Sequence, residues 1–127
     1  MQLHTYKDLI FWQRSIEFVK EVYAVTRKFP KEEIYGLTSQ MRRSAISIPS
    51  NIAEGKLRGH DKELRQFLFI AFGSGGELET QIEIAKSLPE TKGIDYTKAE
   101  TLLLEVMKML NVFIGSGQNT PSAWRRG

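Results

Sequence analysis

The stretch YGLTSQMRRSAISIPSNIAEGK, residues 35–56, decides the fold. Leu37, Met41, Ser44/Ala45, Ile48 and Ile52 recur every three or four residues, which places them on one face of a helix. Arg42 and Arg43 turn away from that stripe toward solvent or a partner. The expected helix spans about Leu37 to Glu54, with Gly55 as its natural end. Pro49 lies inside it. A proline removes one backbone donor and crowds the preceding turn, so a kink is expected near Ile46 to Ile48, with Ser47 and Ser50 bonding freed carbonyls. Arg58-Gly59-His60 makes the loop that follows.

Working outward, three more helices account for nearly all the rest. The first is expected from about Tyr6 to Phe29, opened by the capping-box-like Thr5-x-x-Asp8 and stopped by Pro30. It carries two apolar stripes, one through Leu9, Trp12, Ile16, Val19 and Tyr23, the other through Phe11, Phe18, Val22, Val25 and Phe29. The third starts at a cap on Asp61 and runs to about Leu88 before Pro89. Its inward stripe is Leu64, Phe67, Leu68, Ala71, Gly75, Leu78, Ile82 and Ala85, with Phe69, Ile70 and Phe72 outside it. The fourth opens near Asp95 to Thr97, where Thr97-x-x-Glu100 reads as another capping box, and ends near Ile114. Ala99, Leu103, Val106, Leu110 and Phe113 form its stripe. From Gly115 the tail GSGQNTPSAWRRG has no periodicity and reads as disordered. The expectation is all-α: an up-down-up-down four-helix bundle over residues 1–114 and a flexible tail over 115–127. Surplus apolar surface on helices one, three and four fits either self-association or one broad core.

Composition narrows the function classes. At 127 residues the chain is one domain, large enough for a core without staples. It has no cysteine, which removes disulfides, thiolate metal sites and cysteine nucleophiles together. The opening MQLHTYKDLIFWQRS does not read as a secretory signal, and no apolar run approaches the roughly 20 residues of a membrane span. A cytoplasmic protein without membrane contact is expected. Net charge is +3. Six bases (Arg42, Arg43, Lys56, Arg58, Lys62, Arg65) and three acids (Glu54, Asp61, Glu63) fall between Arg42 and Arg65, so the whole excess lies there. A focused basic patch marks a polyanion binder; a solvated helix-loop-helix corner is the other reading.

No reaction centre emerges. Gly73-Ser74-Gly75-Gly76 sits mid-helix and is followed by Glu77, so it lacks the strand, lysine and hydroxyl of a phosphate loop and reads as packing or local flexibility. A di-metal carboxylate site in a bundle wants Glu-x-x-His on two helices. The two histidines, His4 and His60, lie outside the helices, and Glu77, Glu79 and Glu83 read as an acidic face able to pair with basic residues of another subunit. Ser44, Ser47 and Ser50 have no histidine base beside them. Asn51 and Glu54 read as members of a network with Arg42, Arg43 or Gln40. Trp124-Arg125-Arg126 reads as a frayed tail, or as a stack on a base. No metal, cofactor or catalytic residue is expected.

Asp8-Leu9 with Trp12-Gln13, Phe29-Pro30-Lys31-Glu32-Glu33, the run from Tyr35 to Gln40, Arg42-Arg43, Ser47 to Gly55, Phe67-Leu68 and Glu77 to Thr80 together resemble one bacterial family. It comprises the four-helix-bundle proteins encoded by intervening sequences in 23S ribosomal RNA genes, and the likeness covers about Tyr6 to Ile114. The resemblance implies a left-handed bundle assembling as a ring, a homopentamer. It also implies kinship with the accessory variability determinant of diversity-generating retroelements, which partners a reverse transcriptase and nucleic acid. At Gly75-Gly76 the chain departs from the family, where bulkier residues are expected.

The function expected first is therefore a non-enzymatic, ring-forming protein that binds nucleic acid, RNA above all, or serves a ribonucleoprotein. Arg42, Arg43, Lys56, Arg58, Lys62 and Arg65 would contact phosphates, and repetition round a ring would multiply a weak patch. The alternative is a scaffold whose basic corner docks an acidic protein such as a reverse transcriptase or other polymerase.

Overall fold

The computed structural model describes residues 5–115, and the tail from residue 116 onward lies outside them. Four α-helices carry the chain: α1 Ile10–Thr26, α2 Leu37–Leu57, α3 Asp61–Ser87 and α4 Thr97–Gly115. The Thr5/Asp8 capping box forms, with the Thr5 hydroxyl accepting from the Lys7 amide and Asp8 from the Thr5 amide. What it caps is a separate single turn of 3-10 helix, Tyr6–Asp8, because Leu9 adopts an extended conformation before α1 begins. The break lets Tyr6 fold back edge-on to Trp12, 5.4 Å between ring centres.

Helix α2 passes through Pro49 and three residues beyond the expected end. The proline forgoes one bond to the Ala45 carbonyl, yet helix continues on both sides and its ring is buried. Gly55 does not end the helix. An added Cβ there would lie 2.8 Å from Phe67 Cβ and 3.2 Å from Leu64 Cα, so Gly55 lets α2 approach α3. The chain reverses at Gly59, whose φ of +80° is the left-handed conformation glycine adopts without penalty. Helix α3 opens on Asp61 with no side-chain cap from His60; Asp61 and Glu63 favour its first turn electrostatically instead. At α4, Asp95 accepts the Thr97 amide at 2.9 Å, and that bond holds its carboxyl below the usual range. Glu100 turns to Lys86 rather than closing a box with Thr97.

Every pair of adjacent helices runs antiparallel. Ser47 meets Ser74 while Ser44 meets Gln81 across α2/α3. On α3/α4, Lys86 pairs with Glu100 while Gly75 abuts Met107. Between α1 and α4 the pairs are Phe11–Phe113, Arg14–Glu105 and Glu21–Lys98. Arg42 near the start of α2 reaches Thr26 at the end of α1, and the Tyr6–Asp8 turn also packs against α2. These contacts are consistent with the expected up-down-up-down order, and α4 packs on α1.

The core is built from the predicted stripes. Phe18, Val22, Ala45, Ile48, Ile52, Leu78, Val106 and Leu110 are fully excluded from water, each large aliphatic or aromatic side chain contributing about 1.5–3 kcal/mol by burial. Of the two α1 stripes, the one through Phe11 and Phe18 faces the core. Its companion through Trp12, Ile16, Val19 and Tyr23 is half-buried. Phe113, expected inward, is exposed, and Ile114 takes the core position.

Candidate nucleic-acid interface

The six cations separate into three environments. Arg42 belongs to the α1–α2 junction. Its Nε donates to Thr26 Oγ1 at 2.9 Å, and its guanidinium lies 4.4 Å from the centre of the Tyr23 ring. Thr26 in turn donates to the Val22 carbonyl at 2.7 Å, so the acceptor is held in place. Arg42 therefore bridges helices instead of turning to solvent. Arg43, one residue on and about 100° round the helix, is exposed. Thirteen residues of α2 separate it from Lys56, a rise of about 20 Å.

Lys56, Arg58, Lys62 and Arg65 do come together, at the turn joining α2 to α3. Gly55 and Gly59 shape that corner around a small hollow of about 70 Å³ lined also by Lys56, His60, Asp61 and Leu64. Arg58 is the constrained member: its Nη2 lies 3.0 Å from Glu54 Oε2, and its guanidinium sits over Phe67 at 5.2 Å. That pair is half exposed, so it orders the arginine more than it stabilises the fold. Lys56 and Lys62 are exposed and Arg65 half-buried. Among the described residues no acid lies within ion-pair distance of Arg43, Lys56, Lys62 or Arg65. Four bases against Glu54, Asp61 and Glu63 leave the corner at +1 rather than +3.

A polar seam between α2 and α3 escaped the sequence reading. Asn51 Nδ2 donates to Ser47 Oγ at 3.0 Å, Ser47 pairs with Ser74 Oγ at 2.8 Å, and Ser74 donates to the Ile70 carbonyl at 3.2 Å. Gln81 Nε2 reaches Ser44 at 3.2 Å. Ser47 thus serves the helix junction and not a carbonyl freed by Pro49. Asn51 bonds Ser47 and Glu54 bonds Arg58, so neither joins Arg42, Arg43 or Gln40. The small polar residues of α2 recurring at 44, 47 and 51 were the available signal.

Beside this seam, α3 shows an outward face containing Gly73 and Gly76. A Cβ at either would meet nothing within 4 Å, whereas one at Gly75 would run into Met107. Packing inside the bundle explains Gly75 and leaves Gly73 and Gly76 without a reason in the monomer. Ile70, on the same helix, is 52% exposed.

Among the described residues, no three His, Cys, Asp or Glu side chains gather where they could hold a metal ion. No helix there is long and apolar enough to cross a membrane. Four antiparallel helices packed round one apolar core define a four-helix bundle. A family model for 23S rRNA-intervening sequence proteins matches residues 7–112, and the chain belongs to that family. A comparison with curated proteins finds no match.

Proposed function

We propose that this bundle is a non-enzymatic, self-associating cytoplasmic protein that holds nucleic acid, RNA above all, by its phosphate backbone at the α2–α3 corner. The observation that carries the reading is the group of cations at one end of the molecule: among the described residues Lys56, Lys62 and Arg65 have no acid within ion-pair distance, and Arg58 stands beside them. Such contacts position a backbone without reading bases. A corner of net +1 is weak alone, so the reading requires several copies, and the ring of five implied by the family resemblance would supply them. The α3 face carrying exposed Ile70 and Gly73, with Gly76 partly open beside them, supports contact between copies, since surface glycines in mid-helix let another backbone approach closely.

The same face favours a second reading, a scaffold that docks a protein partner such as a polymerase. Fluorescence anisotropy with a labelled structured RNA separates the two. Lys56→Glu/Arg58→Glu/Lys62→Glu is expected to abolish binding while sedimentation and circular dichroism stay unchanged. Unaltered affinity in that variant removes the phosphate-binding role and leaves the scaffold.

A further inference from the structure

Two opposite sides of the bundle are chemically complementary. Among the described residues α1 and α3 do not touch, nor do α2 and α4, so the α1–α2 side lies across the molecule from the α3–α4 side. On the first side two stripes run together. Trp12, Ile16, Val19 and Tyr23 recur at helical spacing on α1, and Arg42, Ile46, Pro49 and Ala53 do so on α2. The Arg42 guanidinium over the Tyr23 ring ties one stripe to the other. Neither stripe holds an acid, the α1 members are half-buried and Ile46 is 42% exposed. Arg43 stands exposed beside them, with no acid within ion-pair distance among the described residues. The α3–α4 side is a groove of about 180 Å³ lined by Glu79, Ile82, Glu83, Glu100, Leu103 and Leu104. Leu104 is 53% exposed and forms an apolar wall. Lys86 pairs with Glu100, which leaves two negative charges, on Glu79 and Glu83, uncompensated. By contrast, the hollow between α1 and α4 balances Glu17 and Glu21 against Lys20 and Lys98.

We propose that these sides dock on each other between copies, head to tail, with Arg43 of one copy on Glu79 and Glu83 of the next and the Val19/Ile46 surface against Leu104. The two sides match in height along the helices. Ser44 meets Gln81, which sets Arg43 and Ile46 level with residues 79–83. Lys86 meets Glu100 and Gly75 abuts Met107, so Leu104 falls at the level of Glu79. Tyr23 meets Arg42, so Val19, one turn back, falls at the level of Ile46. A second copy turned about an axis parallel to the helices therefore brings base to acid and apolar to apolar with no sliding. Like sides paired in that orientation would set arginine against arginine and glutamate against glutamate. Gly76 shares the helical stripe of Glu79 and Glu83, and a Cβ there would meet nothing within 4 Å, so the neighbour has room to come close. A pairing of unlike sides is heterologous, so each copy keeps one side open for the next until the rotation closes. The inference rests on the self-association of the proposed function and gives it a direction: every α2–α3 corner then lies at the same end of the assembly.

Sedimentation of the full chain over a range of concentrations, without RNA, tests the pairing by charge reversal. Arg43→Glu sets an acid against the acidic groove, and Glu79→Lys/Glu83→Lys sets bases against Arg43. Each should weaken association by more than about tenfold, since like charges across an interface repel, and Arg43→Gln, which only neutralises, should fall between Arg43→Glu and wild type. All three side chains are exposed, so circular dichroism should show every variant folded as wild type. The chain carrying Arg43→Glu together with Glu79→Lys/Glu83→Lys should assemble again, because both sides have changed sign. Either variant assembling like wild type, or a folded combined chain that stays dissociated, overturns the proposal and leaves self-association to another face. A wild-type chain that is monomeric at every concentration removes the self-association reading itself, and this pairing with it.

Discussion

Replacing Gly55 by alanine places a methyl group where α2 and α3 have no room for one. The new Cβ would stand 2.8 Å from Phe67 Cβ and 3.2 Å from Leu64 Cα. Neither neighbour can rotate away, since one is fixed to the backbone and the other is part of it. The helices must separate, and overpacking of this kind costs about 1–3 kcal/mol. Alanine also favours helix over glycine by about 1 kcal/mol, which masks part of the loss. Gly73→Ala, compared at protein concentrations low enough for both variants to be monomeric, supplies the control, because it makes the same gain with nothing within 4 Å. The difference between the two variants then isolates the packing term. With about 3–5 °C per kcal/mol for a chain of this size, Gly55→Ala should melt roughly 3–15 °C below Gly73→Ala. Urea unfolding followed by circular dichroism, at equal concentrations, checks the same difference. Equal stability of the two variants would refute the close approach of α2 and α3 at Gly55.

Gly73→Ala and Gly76→Ala should each stabilise the isolated bundle by up to about 1 kcal/mol, while sedimentation shows weaker self-association where that face joins copies. Arg42→Gln removes the bond to Thr26 and the contact with Tyr23, so urea unfolding should register a loss of about 1–2 kcal/mol. Its RNA affinity should match wild type; a clear drop returns Arg42 to the interface. Burial raises the Tyr96 hydroxyl above its usual 10.0, and the group donates to the Thr91 carbonyl at 2.8 Å. The unfolded chain therefore loses this proton first, so stability should fall as pH climbs past about 10, and Tyr96→Phe should flatten that slope in alkaline melts.

The bundle was legible because its signal is periodic. Met41, Ala45, Ile48 and Ile52 are spaced for one face, and burial follows spacing directly. Local geometry was less so. Thr5 and Asp8 announce a helix start, but only the extended Leu9 shows that the turn they cap is not α1. Gly55 and Gly59 look alike as letters; one serves close packing and the other a left-handed turn. The candidate site was half legible. Counting charges between Arg42 and Arg65 treats sequence distance as spatial distance, which a helix does not respect. Adjacent arginines point about 100° apart, so one lies on Tyr23 and the other in water. The corner cations needed no such inference, since a tight turn keeps sequence neighbours together.

The claim that several copies hold one backbone through the α2–α3 corner is tested most directly by the salt dependence of RNA affinity. One corner offers Lys56, Arg58, Lys62 and Arg65, so a single copy releases counterions with a slope of log K against log salt no steeper than about −3.6 on a duplex. The account predicts a steeper slope for the wild-type protein, relaxing markedly in Lys56→Gln/Lys62→Gln. A slope shallower than one corner allows, or one indifferent to that substitution, would contradict it.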